Sequence, residues 1–125
     1  MLQKQYRLKS RPAFKKALSG RTFCTSRYFA MYALPHAPSH AAQPPRFGFI
    51  VSKKVDKRAT RRNRIKRRLR EAVRQTLLVP PLLEQISGYR VIVLIARQAM
   101  AEASPEVPFE ELCRQLRRCF APSRV

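Results

Sequence analysis

The chain has little of what enzymes use for chemistry. Its 125 residues include three glycines, two histidines and seven acidic residues, and they include no tryptophan. Three widely spaced glycines cannot form a P-loop or a GxGxxG turn. His36 and His40 lie among the prolines of the segment 35–45, which excludes a stable helix that would carry both on one face. The sequence therefore favours a binding protein over an enzyme that works through its own side chains.

The cysteines and the apolar runs are equally sparse. Cys24, Cys113 and Cys119 are odd in number and form no CxxC pair, so we expect reduced thiols rather than a disulfide framework. Cys113 and Cys119 also fit an apolar helical pattern, which favours small core residues over ligands or nucleophiles. The longest apolar run, VIVLIA at 91–96, has only the length of a strand, and the N-terminus lacks a signal peptide's apolar core. These observations predict a cytoplasmic protein without a membrane partner.

Positive charge is abundant and unevenly distributed. The net charge is +20, and residues 1–75 carry 21 Lys or Arg against only two acids, Asp56 and Glu71. Residues 76–125 carry six Arg and five Glu. Two carboxylates are too few for a two-metal site supplied by the basic region. A polyanion is the natural partner of such a surface, and nucleic acid is the leading candidate.

Hydrophobic periodicity predicts a single domain over 1–125 with the element order α-β-β-β-α-β-α. Strands are predicted around 21–34, as a pair with a turn near Ser26, and again at 46–52 and 89–96. We expect an α+β sandwich in which helices pack on one mixed sheet, with a proline-rich loop at 35–45 and a tail at 121–125. The last two strands and the helix between them could form a parallel crossover, which is right-handed by default. A final helix carries an apolar stripe of Phe109, Leu112, Cys113, Leu116, Cys119 and Phe120.

The segment RRNRIKRRLREAVR, residues 61–74, holds eight basic residues and one acid. A helix is predicted from about residues 59–62 to a point before Pro80, and Glu71 is interpreted as a counter-charge to Arg67, Arg68 or Arg74. Arg62 and Arg64 are expected to lie off its apolar stripe. The stripe consists of Ile65, Leu69, Ala72, Val73 and Thr76.

A charge run is most often a solvated face, but here it alternates with residues that must pack. Arg, which dominates the run, binds phosphate in a planar, bidentate way and stacks on bases. RNA is favoured over duplex DNA because aromatic residues on the flanking elements can stack unpaired bases where they are exposed. These aromatic residues are Phe14, Tyr28, Phe29, Tyr32, Phe47 and Phe49. Most of the six are expected to be core residues.

The stretch FGFIVSKK, at 47–54, followed by RRNRIKRRLRE, at 61–71, resembles the signature of the bacterial ribonuclease P protein subunit. LKSRPAFKKAL, at 8–18, and VIVLIAR, at 91–97, resemble it in the same order and at the right spacing. The resemblance implies that a large catalytic RNA with bound magnesium ions hydrolyses precursor tRNA and releases its 5′ leader. The protein would bind that RNA and the precursor tRNA, with no cofactor of its own and no obligate protein partner. The resemblance also implies a left-handed strand–helix–strand crossover, against the default.

Matching residues can be carried over from the family's motif. The motif implies that eight basic residues contact the catalytic RNA: Lys53, Lys54, Arg62, Arg64, Lys66, Arg67, Arg68 and Arg70. It implies that six residues contact the leader: Phe14, Leu18, Tyr32, Arg62, Asn63 and Lys66. Leu18 departs from the pattern, since the family commonly has a second aromatic there, and no catalytic residue is implied in the protein.

Two other functions fit the charge and the size. A ribosomal or ribosome-assembly RNA-binding protein would share both, and only the specific motif argues against it. A DNA-compacting protein is disfavoured because the sequence has neither a dimerising helix nor a flexible β-arm.

Overall fold

All seven predicted elements are present in the computed structural model, and two short helices are added to them. The structure describes residues 6–8, 11–19, 22–35, 45–80, 82–102 and 108–120. In chain order the elements are α1 (Arg11–Leu18), β1 (Thr22–Thr25), β2 (Phe29–Pro35), β3 (Arg46–Ile50), α2 (Ala59–Thr76), α3 (Leu82–Ile86), β4 (Tyr89–Ala96), α4 (Ala99–Glu102) and α5 (Phe109–Cys119). The α+β class is confirmed, and α3 and α4 are the helices that the sequence pattern did not predict.

Part of the sequence prediction falls outside the described residues. This applies to His36, His40, the rest of the loop between 36 and 44, and the tail at 121–125. Pro35, which was predicted to begin the loop, instead ends β2.

The four strands form one mixed sheet in the order β1-β2-β4-β3. β1 and β2 pair in the antiparallel sense, as do β2 and β4, whereas β3 and β4 run parallel. The predicted parallel crossover from β3 through α2 to β4 is therefore present, and its hand stays a prediction. β4 lies between two strands, as its continuous apolar sequence predicts for a strand covered on both faces.

The alternation of side chains along β3 and β4 divides the core into two parts. Phe47, Phe49 and Val51 point into the larger core, together with Ile92 and Leu94 of β4, and helices α2 and α5 cover this face. The intervening residues face the other way, where Val91 and Val93 pack beneath α1 in a smaller cluster. The basic helix and α1 thus lie on opposite faces of the sheet.

A short N-terminal segment covers the outer edge of β3. Arg7 forms a parallel bridge with Phe47, and the amide of Leu8 donates to the carbonyl oxygen of Phe47 at 2.8 Å. An unpaired strand edge invites association with other chains, so this contact protects the parallel side of the sheet. None of the helices among the described residues combines the length and the apolarity that a membrane crossing requires.

The cysteine prediction was wrong for one pair. Cys24 on β1 and Cys119 at the end of α5 are joined by a disulfide; their Cα atoms are 5.7 Å apart, and the two residues are 95 positions apart in sequence. No spacing motif could reveal this pair, because the two residues meet only once β1 and α5 have reached the same side of the sheet. Cys113 is a buried free thiol, as predicted, and burial raises its pKa.

Breaking this disulfide should measurably destabilise the fold. We expect Cys119→Ser to lower the free energy of unfolding by about 2 kcal/mol, because the bond closes a long loop and restricts the unfolded chain. Urea unfolding with and without reductant measures the effect, and reductant should leave the Cys119→Ser variant unchanged. A wild-type protein with an intact disulfide whose midpoint does not respond to reduction would contradict this prediction.

Candidate nucleic-acid interface

Helix α2 presents an apolar side to the sheet and a basic side to solvent. The predicted stripe is confirmed, since Ile65, Leu69, Ala72, Val73 and Thr76 are all buried. The hydroxyl of Thr76 donates to the Ala72 carbonyl at 2.7 Å, so the one polar member of the stripe is satisfied. Arg64 and Arg67 are exposed on the side away from the stripe, and Asn63 is exposed beside them. We call Asn63, Arg64 and Arg67 the basic face.

Arg62 does not lie where it was expected. It comes three residues before Ile65, which puts it on the edge of the buried stripe, and it is half-buried. Its Nη1 donates to the carbonyl oxygens of Asp56 at 3.1 Å and Lys57 at 2.8 Å. Arg62 therefore stabilises the connection between β3 and α2 through these hydrogen bonds, in addition to any contact that it makes with RNA.

That connection concentrates positive charge at the beginning of α2. Lys53, Lys54, Lys57, Arg58 and Arg61 are all exposed and line a surface hollow of about 470 Å³. The positive end of the helix dipole adds to their field. The predicted pair Lys53 and Lys54 is thus adjacent in space to the start of the basic helix, an arrangement suited to phosphate groups.

Asp56 organises this connection. Its carboxylate accepts a hydrogen bond from the backbone amide of Arg58 at 2.9 Å and forms an ion pair with Nε of Arg61 at 3.2 Å. The hydrogen bond from the Arg58 amide, with the charges of Arg58 and Arg61, lowers the pKa of Asp56. The carboxylate is therefore ionised and engaged by its neighbours.

Glu71, the second acid of the basic region, is engaged as well. Nε of Arg74 donates to its carboxylate at 3.0 Å, which confirms the predicted counter-charge, and Gln75 donates at 3.0 Å. These hydrogen bonds, that of Arg74 first, lower the pKa of Glu71 to about 2. In the part of the chain that the structure describes, no three His, Cys, Asp or Glu side chains are grouped to hold a metal ion. Among the described residues, the two carboxylates of the basic region are engaged by arginines and therefore do not fit a magnesium site.

The remaining basic residues of α2 lie on its flanks. Lys66, Arg68 and Arg70 are half-buried, and the guanidinium of Arg70 lies over the ring of Phe49 at 5.8 Å from its centroid. Burial lowers the pKa of Arg70, and the charge of Arg7 adds to that effect. Arg70 thus packs against the large core while its charge remains near the surface.

On the opposite face of the sheet, the structure brings together three residues that the resemblance assigned to the leader. Phe14, Leu18 and Tyr32 all pack around the small cluster that contains Val91 and Val93. Of the six aromatics, Phe14, Tyr28 and Tyr32 are half-buried, and the other three are buried core residues.

A groove of about 620 Å³ runs along α1 on this face. We call it the α1 groove; it is lined by Arg11, Phe14, Lys15, Leu18, Ser19 and Ile50. The apolar side chains of Phe14, Leu18 and Ile50 offer a surface for a planar base, and the exposed cations of Arg11 and Lys15 offer contacts for phosphate. Arg11 and Lys15 were not predicted as site residues from the sequence. Their spacing of four residues nevertheless places them on one side of a helix, and the same spacing does so for Phe14 and Leu18.

An α+β sandwich with a basic helix on one face and an apolar, cation-rimmed groove on the other defines a nucleic-acid-binding protein. Comparison with known proteins makes this specific. The chain belongs to the ribonuclease P protein family, whose model, described as Ribonuclease P, matches residues 2–123.

Two relatives and one solved structure each match between 80% and 95% of the chain. The ribonuclease P protein component of Symbiobacterium thermophilum is 40% identical over 119 residues, which are 95% of this chain and 91% of that protein. The component of Fusobacterium nucleatum is 32% identical over 100 residues, covering 80% of this chain and 84% of its own. The solved structure of the ribonuclease P protein from Thermotoga maritima superimposes with a TM-score of 0.68 at 27% identity, covering 90% of this chain and 92% of the other.

Family membership fixes the activity to which the chain contributes. Ribonuclease P is an endoribonuclease of tRNA processing, and this chain is similar throughout to its protein component, which has an RNA subunit as partner. The ribosomal alternative is not favoured.

Proposed function

We propose that this chain binds the catalytic RNA of ribonuclease P through the basic face of α2 and the connection before it, and the 5′ leader of precursor tRNA through the α1 groove. The observation that carries the proposal is the α1 groove itself. It joins an apolar lining to two exposed cations on the face of the sheet that α2 leaves uncovered. A single-stranded nucleotide offers the complementary features, which are a planar base and a charged phosphate.

The cleavage itself is assigned to the RNA. Asp56 and Glu71 are the carboxylates of the basic region, and each is held by neighbouring arginines. Neither is available as a general base or as a magnesium ligand without breaking these contacts. We therefore place the magnesium ions on the catalytic RNA, and we assign no catalytic residue to the protein.

The charge of the protein explains what it adds to a ribozyme. Catalytic RNA and precursor tRNA are both polyanions and repel each other, and a chain of net charge +20 between them lowers that repulsion. A groove that stacks bases binds without reading hydrogen-bonding edges, so it tolerates leaders of differing sequence. Leu18 supplies apolar area but no aromatic ring, which leaves Phe14 as the stacking side chain of the α1 groove.

Tyr32→Ala tests the leader assignment. In the holoenzyme it should weaken binding of precursor tRNA with a 5′ leader by about fivefold, since stacking on one aromatic ring contributes roughly 1–3 kcal/mol and Tyr32 is half-buried. Binding of mature tRNA, which has no leader, should stay unchanged. The measurement is the ratio of the two dissociation constants at fixed magnesium and salt concentrations.

Three further measurements complete this test. Tyr89→Ala removes the same side chain from the larger core on the opposite face, and it should leave the ratio unmoved. Protein freed of RNA should leave precursor tRNA uncut in every variant, and metal-dependent cleavage by that preparation would refute the assignment of catalysis. If Tyr32→Ala keeps its melting temperature and the ratio does not change, Tyr32 does not contact the leader, and the leader surface does not extend from the α1 groove to β2.

A further inference from the structure

Gly48 lies inside β3, where a glycine is unfavourable unless the fold has a use for it. It is buried, it pairs with Val93, and Val93 pairs in turn with Tyr32 on the other side of β4. Glycine inside a strand costs backbone entropy and offers no side chain for packing. Its φ lies outside the left-handed region, so the backbone at this position would accept any residue. The reason for a glycine at this position must therefore be the space that a side chain would occupy.

That space is filled by the ring of Phe14. A Cβ atom on residue 48 would lie 2.2 Å from Cε1 and 2.4 Å from Cζ of Phe14, far inside van der Waals contact. The ring therefore rests directly on the backbone of β3. With any side chain at position 48, the ring would have to move outward by roughly 1 Å or more, to the usual carbon–carbon separation.

We infer that Gly48 is a positioning residue for leader binding, because it sets the depth at which Phe14 lies in the α1 groove. This inference rests on the proposed function, which makes Phe14 the stacking side chain. One part of the Phe14 ring packs on β3 and another lines the groove beside Leu18 and Ile50. Binding groups must keep their geometry to about 0.5 Å, so a ring raised by twice that distance intrudes on the space of the base.

Gly48→Ala makes the inference testable in the reconstituted holoenzyme. The probes are precursor tRNA with a 5′ leader and mature tRNA, and the readout is the ratio of their dissociation constants. We expect Gly48→Ala to weaken the leader-bearing substrate by about fivefold, comparable with Phe14→Ala, and to leave mature tRNA unchanged. The matched control is Gly88→Ala, because a Cβ at position 88 would meet nothing within 4 Å. The control should affect neither substrate.

The double variant Phe14→Ala/Gly48→Ala separates positioning from a purely structural role. Once the ring is gone the added methyl group meets no obstacle, so the double variant should bind like Phe14→Ala alone, and its melting temperature should be no lower than that of Phe14→Ala. Additive losses in the double variant would overturn the inference. So would a Gly48→Ala variant that weakens both substrates equally, since that result indicates general damage to the fold.

Failure of the proposed function would look different. If Phe14→Ala itself leaves the leader-dependent ratio unchanged, Phe14 does not bind the leader, and the groove assignment falls with the inference. If Phe14→Ala raises the dissociation constant of the leader-bearing substrate relative to that of mature tRNA and Gly48→Ala does not, the groove assignment survives, and only the role of Gly48 is refuted.

Discussion

Leu69→Ala is expected to lower the free energy of unfolding by about 2–5 kcal/mol and to leave the RNA affinity of the folded protein nearly unchanged. Leu69 is 0% exposed and lies in the middle of the buried stripe of α2, where it packs in the larger core. Its truncation removes apolar contacts and leaves a cavity that surrounding side chains fill only in part. The basic face points the other way and keeps its geometry.

Two measurements check this expectation. Urea unfolding gives the loss of stability, and titration with the catalytic RNA at a temperature where the variant is folded gives the affinity. Val79→Ala is the matched control, because Val79 is an apolar residue that is 41% exposed, and its loss should change stability by no more than about 0.5 kcal/mol. Intact stability with collapsed RNA binding in Leu69→Ala would mean that the stripe faces RNA.

The helix and its orientation were predictable because they depend on local periodicity. Ile65, Leu69 and Val73 recur at the spacing of one helical side, and no other secondary structure would bury them together. The exception, Arg62, shows the limit of that reasoning. Its position on the edge of the stripe follows from the helical period, but its hydrogen bonds to the carbonyls of Asp56 and Lys57 depend on the path of the preceding connection.

The contacts between distant segments could not be predicted from residue patterns. Cys24 and Cys119 are joined although they are 95 positions apart in sequence, and the ring of Phe14 meets Gly48 through the packing of α1 on the sheet. The resemblance to a family supplied Phe14, Leu18 and Tyr32 as candidates. Phe14 and Leu18 come together on one side of α1, and Tyr32 of β2 packs in the small cluster beneath that helix. Arg11 and Lys15 became candidates only when the α1 groove was seen, since many exposed cations of this chain have similar local sequence.

The basic face of α2 carries the second large expected effect. Replacing Arg64 and Arg67 together by Ala should weaken binding to the catalytic RNA by about 25- to 60-fold near 0.1 M salt, or roughly 2 kcal/mol. Both side chains are exposed and point away from the buried stripe, so the fold should not be affected. Each lost phosphate contact removes about 0.7–0.9 from the slope of log affinity against log salt, and two contacts remove about 1.4–1.8.

The slope distinguishes direct contact from a general effect of net charge. The variant Arg117→Ala/Arg118→Ala removes the same two charges from the exposed side of α5, which the proposal does not place on RNA. Affinities for the catalytic RNA should be measured for both double variants and the wild type over a range of salt concentrations. A reduced slope in the α2 variant alone assigns Arg64 and Arg67 to phosphates. Equal changes in both variants would mean that RNA responds to the overall charge of the chain, and an unchanged slope in the α2 variant would remove its basic face from the interface.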